Sequence, residues 1–231
     1  MSAKKFDPFV SEWVSFAKNP NHNLIEKCLK LAQILEYPEL DVSKYIQKIH
    51  ELGNSLKLKI SAGKNPTYLI SMLNEYLFEE RGFLGNEEDY YDPGNSFLNV
   101  VLDKKTGIPI TISIIYSEIA KYIGLDLRIV GFPGHVIVKY KDEIILDPFY
   151  HGILLTIEDL EENLNRNFGE DVEFIPEYLN EATTEQLLAR LLRNLKNAYT
   201  QSYAYDKAIR CADMILEIQP ESTEEIRDKG I

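Results

Sequence analysis

The segment from residue 109 to residue 149 constrains the fold more than any other part of the chain. It begins with PITISIIYSEIAKYIG, in which Pro109 suits the first turn of a helix and Gly124 suits its end. Three runs of strand length follow: LDLRIVGF, HVIVKY and EIILDPF. Because the helix is rich in β-branched residues, which have weak helix propensity, it must depend on tertiary packing. The order predicts a buried helix against a small antiparallel sheet.

A histidine opens the second strand and an aspartate lies near the end of the third. The turn between these strands falls at Lys141–Asp142. A loop of one or three residues places His135 and Asp147 on the same face of the sheet, whereas a two-residue loop places them on opposite faces. On one face, the two side chains make up two thirds of a catalytic triad, and a nucleophile must be sought elsewhere.

The remainder of the chain has mainly helical periodicity. Apolar residues recur at helix spacing in NLIEKCLKLAQILE, DVSKYIQKIHELGNSLKLKI and NPTYLISMLNEYLFEERG, which predicts an N-terminal helical layer. Residues 83–95 are typical of a loop, and VEFI at residues 172–175 is predicted to be a further strand. TEQLLARLLRNLKNAY and YDKAIRCADMILEIQP predict two C-terminal helices, the first opened by a capping box of Thr183 and Gln186.

Composition excludes several classes of protein. The chain has 231 residues and is 45% hydrophobic, enough to bury a substantial core. Its 25 Lys and Arg residues against 37 Asp and Glu residues give a formal charge of −12, which repels nucleic acid and anionic membrane surfaces. No apolar run approaches a membrane span, and no apolar signal core follows the first lysines. We expect a cytoplasmic protein.

Cofactor and metal sites have no counterpart in the sequence. There is no phosphate-binding loop, no glycine fingerprint for a dinucleotide and no metal-ligand spacing, so we expect no cofactor and no metal. The only two cysteines, Cys28 and Cys211, are far apart and lie on apolar helix stripes. Cysteines in such positions are usually inert packing residues.

GIPITISIIYSEIAKYIGLDLRIVGFPGHVIVKY and ILDPF together resemble the transglutaminase-like superfamily, which has a papain-like cysteine enzyme fold. In that superfamily a cysteine begins the buried helix, where the helix dipole and free N–H groups stabilise a thiolate. The resemblance places His135 at the histidine position and Asp147 at the aspartate position. The cysteine position falls at about Pro109, beside Ile108 and Ile110, so no thiol is present there.

Thr111, Ser113 and His151 are the other candidates for a site at the missing nucleophile. Thr111 and Ser113 lie in the first turn of the same helix, but a hydroxyl needs a strong base and helical Ser and Thr often bond their own backbone. His151, in DPFYHG, either reaches the same cleft or is a turn histidine. Without a nucleophile, His135 and Asp147 also have a structural interpretation, as a hydrogen-bonded pair that joins two strands.

Longer segments resemble the bacterial SirB-type family: EYLFEERGFLGNEEDYYDPGNSFLNVVLDKKTGIPITIS, GFPGHVIVKY, ILDPF and LLARLLRNLKNAY. That family joins a transglutaminase-like domain to tetratricopeptide repeats and has a GIP motif at the cysteine position. Residues 189–222, aligned on Pro220 with Ala208 at the small position, fit one degenerate repeat of about 34 residues. EEIRDKGI resembles the start of another repeat, so we expect the chain to be truncated at Ile231.

The resulting expectation is an α+β fold with two parts. Residues 1–180 form a transglutaminase-like domain with its N-terminal helical layer, and residues 181–231 form a helical hairpin like a tetratricopeptide repeat. The favoured function is a non-catalytic interaction or regulatory module that binds a protein or peptide through the cleft, lined by Pro109, Thr111 and His151, or through the repeat-like helices. The alternative is a cryptic hydrolase or acyltransferase, in which His135 and Asp147 activate a water or Ser113.

Overall fold

The computed structural model of the chain describes residues 8–61, 65–169, 171–228 and 230. The expectations about the first residues and about truncation at Ile231 therefore lie outside the described residues. The α-helices are α1 Pro8–Ala17, α2 Leu24–Leu35, α3 Val42–Lys59, α4 Pro66–Asn74, α5 Leu98–Lys104, α6 Pro109–Lys121, α7 Ile157–Phe168, α8 Thr184–Gln201, α9 Tyr205–Ile218 and α10 Thr223–Asp228. The strands are β1 Leu84–Gly85, β2 Thr106–Gly107, β3 Leu127–Val130, β4 Ile137–Tyr140, β5 Ile144–Asp147 and β6 Ile153–Leu155. The α+β class is confirmed.

Helices α2, α3 and α4 begin where side chains cap them. Asn23, Asp41 and Asn65 each accept a backbone N–H from the first turn of the helix that follows, which satisfies a donor that the helix leaves free. The apolar stripe of α2 is buried and includes Cys28, as its periodicity predicted. The third predicted helix departs from expectation, because α4 continues as a π-helical turn over Glu75–Glu80.

Helix α6 is buried almost all round, as predicted. Nearly every residue from Pro109 to Ala120 is buried, and the helix contacts α3, α4 and the strands β3 and β4. The Tyr116 hydroxyl donates to the Asn74 side-chain oxygen at 2.6 Å. A buried hydroxyl thus keeps a partner, and the β-branched helix is held by packing rather than by propensity.

The main sheet is antiparallel, in the order β3-β4-β5-β6. Tyr140 pairs with Ile144, so the loop between β4 and β5 has three residues. Strand β6, which follows the DPFYHG turn, was not predicted. Sequence periodicity could not reveal it, because only three residues pair with β5.

The predicted strand at residues 172–175 is wrong, since these residues form no strand. Val172 and Phe174 instead pack their side chains against an apolar cluster that includes Phe132 and Leu160. The free edge of β3 is used by the next segment of chain: Val130 bridges Glu181, and the Ala182 N–H donates to a β3 carbonyl at 2.9 Å. The apolar pattern of VEFI thus reflects burial without strand pairing.

The C-terminal helices α8 and α9 form an antiparallel hairpin that packs on the N-terminal helices. The predicted capping box of Thr183 and Gln186 is confirmed. The Trp13 indole N–H donates to the Met214 carbonyl at 3.2 Å, and the Tyr199 hydroxyl donates to the Glu36 carboxylate at 2.9 Å. One apolar core contains residues from both the N-terminal layer and the hairpin. None of the described helices has the length and apolar character needed to cross a membrane.

Candidate functional site

A tight turn presents His135 at the start of β4. Phe132, Pro133, Gly134 and His135 form it, and the His135 N–H donates to the Phe132 carbonyl at 3.0 Å. Gly134 has φ +72°, which matches the third position of a type II turn, with proline at the second. The sequence FPGH therefore encodes the conformation that places the histidine just before β4, an inner strand of the sheet.

Asp147 meets this histidine from the last position of β5. Because the intervening loop has three residues, both side chains lie on one face, and His135 Nε2 is 2.7 Å from Asp147 Oδ2. The other carboxylate oxygen accepts the Phe149 backbone N–H at 3.0 Å. Both carboxylate oxygens of Asp147 are thus hydrogen-bonded. Because Asp147 bonds Nε2, the other ring nitrogen of His135, Nδ1, is left for another partner.

Aromatic rings enclose the pair. The Tyr150 ring stacks against the His135 ring with centroids 6.3 Å apart, and Phe149 presents an edge at 6.1 Å. Only 11% of the His135 side chain and 4% of the Asp147 side chain are exposed. Burial, followed by the negative charges of Glu87 and Asp147, raises the pKa of Tyr150. The His135–Asp147 pair is therefore largely shielded from solvent.

Pro109 occupies the first turn of α6, where the superfamily resemblance places a nucleophile. It is buried, and its neighbours Ile108 and Ile110 are 1% and 0% exposed. Proline fits because its missing N–H would have no partner in the first turn. These three side chains offer no group that forms a covalent bond to a carbonyl.

The two hydroxyls of α6 are committed to backbone groups. Thr111 donates to the Asn95 carbonyl at 2.8 Å and accepts the Ile108 N–H at 3.1 Å. Ser113 is fully buried and donates to the Val136 carbonyl at 3.4 Å. Ser113 therefore lies beside the strand that His135 opens, but the hydrogen bonds of the described residues do not join the two side chains.

Both cysteines are buried and remote from the pair. Cys28 lies in α2 and Cys211 in α9, each almost without exposure. Burial raises the pKa of each thiol to about 12. Neither is a thiolate near neutral pH, and neither replaces the missing nucleophile.

His151 lies in an adjoining cavity rather than on the pair. It has φ +55° after the short turn that follows β5, and its ring stacks on Phe78 at 5.3 Å. Together with Glu87 and Tyr150 it lines an open cavity of about 550 Å³. Tyr150 thus contacts His135 with its ring and borders this cavity. The prediction that His151 shares the cleft stays a prediction.

Arg190 was not singled out from the sequence, although it supports the His135 turn. Its Nη1 atom donates to the Phe132 carbonyl at 2.9 Å, the same carbonyl that closes the turn. The available signal was the polar interruption of the leucine stripe in LLARLLRNLK. In the described part of the chain, no three His, Cys, Asp or Glu side chains are close enough to hold a metal ion.

Comparisons with known proteins agree with this architecture. The model of the transglutaminase-like superfamily matches residues 43–193. A UPF0162 protein of Xylella fastidiosa is 35% identical over 202 residues, which cover 85% of this chain and 72% of the relative. A UPF0162 protein of Vibrio cholerae is 29% identical over 218 residues, covering 93% and 74%.

A human relative matches a smaller part. F-box only protein 21 of Homo sapiens is 33% identical over 149 residues, covering 56% of this chain and 23% of that protein. No solved structure matches the chain. The superfamily match covers well over half of the chain, and a UPF0162 relative aligns over most of its own length. The chain therefore belongs to the transglutaminase-like superfamily and to the group of UPF0162 proteins.

Proposed function

We propose that this protein is a non-catalytic member of its superfamily that acts as an interaction or regulatory module. The observation that carries the proposal is Pro109 at the position where a catalytic cysteine begins the buried helix. Thr111 and Ser113 do not compensate, because their hydroxyls bond backbone carbonyls. The His135–Asp147 pair then has a structural and binding role in the cleft that would hold the active site of a catalytic member.

The binding surfaces of this proposal are the cleft beside His135 and the helices α8 and α9. We assign the chain to the SirB-type proteins and residues 181–231 to a segment like a tetratricopeptide repeat. Such a repeat does not bury its own apolar face and relies on neighbouring units. Packing of α9 on α1, with the Trp13 to Met214 hydrogen bond, supports a hairpin that is completed by the N-terminal layer.

A cryptic hydrolase is the second candidate, and one observation favours it. Asp147 bonds Nε2 of His135, which fixes one tautomer and leaves Nδ1 to accept a proton from water. A base acting on water needs no side-chain nucleophile. The two candidates differ in one measurable property, which is turnover that depends on His135.

The first experiment compares the wild type with His135→Ala on acyl esters and on amide substrates. The non-catalytic proposal expects hydrolysis no faster than the uncatalysed rate for both proteins. Turnover by the wild type that His135→Ala abolishes, with thermal unfolding still cooperative in the variant, would establish the hydrolase instead.

A second experiment restores a thiol at the helix start. In Pro109→Cys, the introduced thiol lies at the N-terminus of α6 in the domain that carries His135. The helix terminus and the histidine should lower its pKa, against the opposing effect of burial. Pro66→Cys is the matched control, because Pro66 has the same position in α4 without a histidine–aspartate pair in the superfamily arrangement. A lower thiol pKa at position 109 than at position 66 supports loss of the cysteine as the reason for inactivity. Equal pKa values would show that His135 and Asp147 do not act on a thiol at position 109.

A further inference from the structure

An open groove of about 660 Å³ lies beside the turn that carries His135. We call it the Arg190 groove. The turn that carries His135 contributes Gly131 and Gly134, and the segment before α8 contributes Asn180. Helix α8 forms the remaining wall. The groove is thus built from three separate parts of the chain.

Helix α8 presents a row of polar side chains to the groove. Gln186, Arg190 and Asn194 are four residues apart, so they lie above one another on one helix face. The Gln186 side-chain oxygen takes part in the capping box of its own helix by accepting the Thr183 N–H at 2.8 Å. The Asn194 side chain makes no hydrogen bond with the described residues, which leaves its amide for a molecule in the groove.

Arg190 carries a charge that the described residues do not neutralise. Its one hydrogen bond within the described chain goes to the Phe132 carbonyl, and no described carboxylate lies within ion-pair distance. Burial lowers the pKa of Arg190 and the neighbouring Arg193 lowers it further, against an opposing effect of Tyr90. A guanidinium has five N–H donors, so most of them remain for a ligand.

Arg193 lies in the same wall of the groove, but its charge is neutralised within the protein. Its Nε donates to the buried Glu225 carboxylate at 3.0 Å, and its Nη2 donates to the Gln219 side chain at 3.0 Å. The protein therefore satisfies one of two adjacent arginines internally and leaves the other half-buried and open to the groove. A desolvated arginine without a carboxylate is costly to keep unless a partner supplies one.

We propose that the Arg190 groove binds a carboxylate of a peptide, held by the guanidinium of Arg190. A carboxylate accepts two parallel N–H bonds from an arginine, which matches the free donors. The neutral amides of Asn180 and Asn194 suit the peptide groups next to it. Glu177 and Glu181 also line the groove, and their charges oppose a doubly charged phosphate more than a singly charged carboxylate.

This inference rests on the proposed function in one respect, because helix α8, one of its binding surfaces, forms a wall of the groove. His135 and Pro109 do not line the groove. Carboxylate binding at Arg190 is compatible with a catalytic or a non-catalytic His135. If no carboxylate binds at Arg190, the argument from the missing nucleophile still stands. If His135 supports turnover, the argument for carboxylate binding in the groove still stands.

The test is an NMR titration of the full chain, labelled with ¹⁵N, with three short peptides. Acetyl-tetraalanine with a free C-terminus carries a terminal carboxylate, acetyl-Ala-Glu-Ala-amide carries a side-chain carboxylate, and acetyl-tetraalanine-amide carries none. We expect the backbone signals of Gly131 and Gly134 to shift with at least one acidic peptide. The amide should bind at least about tenfold more weakly. The tighter acidic peptide identifies the source of the carboxylate.

Three variants assign the binding to the arginine. Arg190→Gln should weaken it about tenfold or more, whereas Arg166→Gln, which removes the same charge from exposed α7, should leave it unchanged. Asn194→Asp keeps Arg190 and its contact to Phe132 but places a competing carboxylate one turn away, and it should also weaken binding. Thermal unfolding checks that each variant is folded. If Arg190→Gln does not fold, Asn194→Asp still tests the proposal.

Two results would overturn the proposal. One is equal binding of the acidic and amidated peptides, or no binding of any, since the carboxylate would then not be recognised. The other is tighter binding of inorganic phosphate than of either acidic peptide, which would assign the groove to a phosphate-bearing ligand.

Discussion

Asp147 Oδ2 lies 2.7 Å from His135 Nε2, while Oδ1 of the same carboxylate accepts the Phe149 N–H at 3.0 Å. One nearly buried aspartate thus holds the histidine ring and closes the turn after β5. A carboxylate with two such bonds is part of the architecture, whether or not chemistry takes place beside it. Substitutions of Asp147 can distinguish the contributions of the two hydrogen bonds to stability.

Asp147→Ala removes both acceptors and leaves two buried donors without partners. Each orphaned donor costs about 1–3 kcal/mol, so the free energy of unfolding should fall by about 2–6 kcal/mol. Asp147→Asn keeps an acceptor for the Phe149 N–H and should lose less. Denaturant unfolding measures both. Equal losses in the two variants would show that the bond to Phe149 contributes nothing.

Gly152→Ala should be strongly destabilising. Gly152 has φ +70°, and a Cβ there would lie 2.2 Å from the Asn74 Oδ1 atom that accepts the Tyr116 hydroxyl. Gly124→Ala is the control, since Gly124 has φ +78° and open space around its Cβ position. Left-handed strain of about 1–2 kcal/mol affects both variants, and crowding should cost Gly152→Ala a further 1–3 kcal/mol, roughly. Similar melting temperatures would contradict the Asn74 contact.

Glu225 and Glu224 offer a matched pair on α10. Glu225 is fully buried and bonds Arg193 at 3.0 Å and Lys196 at 2.8 Å. Glu225→Ala leaves two cations without this partner and should cost about 3 kcal/mol of unfolding free energy. Glu224 is 53% exposed and lies 3.7 Å and 3.9 Å from the same cations, so Glu224→Ala should change stability by less than about 0.5 kcal/mol. The reverse order would contradict the packing of α10.

Alkaline pH should weaken the contact between α8 and α10. Burial acts to lower the pKa of Lys196, but hydrogen bonds to Asp228 and Glu225 outweigh it and raise the pKa. A raised pKa in the folded state stabilises the fold below the unfolded pKa of about 10.4, and this contribution is lost as pH rises through the folded value. Unfolding measured from pH 8 to 11.5 should show a smaller alkaline loss in Lys196→Met than in the control Lys121→Met, where the lysine is exposed.

The native thiols should be unreactive. Since burial raises the pKa of Cys28 and Cys211 to about 12, an aromatic disulfide reagent at pH 8 should detect no thiol in the folded protein and both in denaturant. The single variants Cys28→Ser and Cys211→Ser assign any residual reaction. Modification at the rate of a free thiol under native conditions would reopen the search for a cysteine nucleophile.

Local sequence determined much of this structure. The capping residue Thr183, the FPGH turn and the apolar stripe that holds Cys28 depend on neighbours within a few positions, so each could be read from the sequence. The buried helix followed by strands also carried the resemblance that the superfamily match confirmed. The same resemblance places the usual cysteine position at about Pro109, which predicts from the sequence alone that no thiol lies there.

Tertiary structure decided what local sequence left open. The residues after Tyr140 fit loops of different length, and only packing of β4 on β5 selected the three-residue loop that brings His135 to Asp147. The free edge of β3 likewise pairs with residues 181–182, while VEFI forms no strand. Arg190 reached the Phe132 carbonyl across 58 positions, a contact that no periodic pattern encodes. Sequence periodicity specifies which face of an element is buried, whereas register and long-range polar contacts depend on how whole elements fit together.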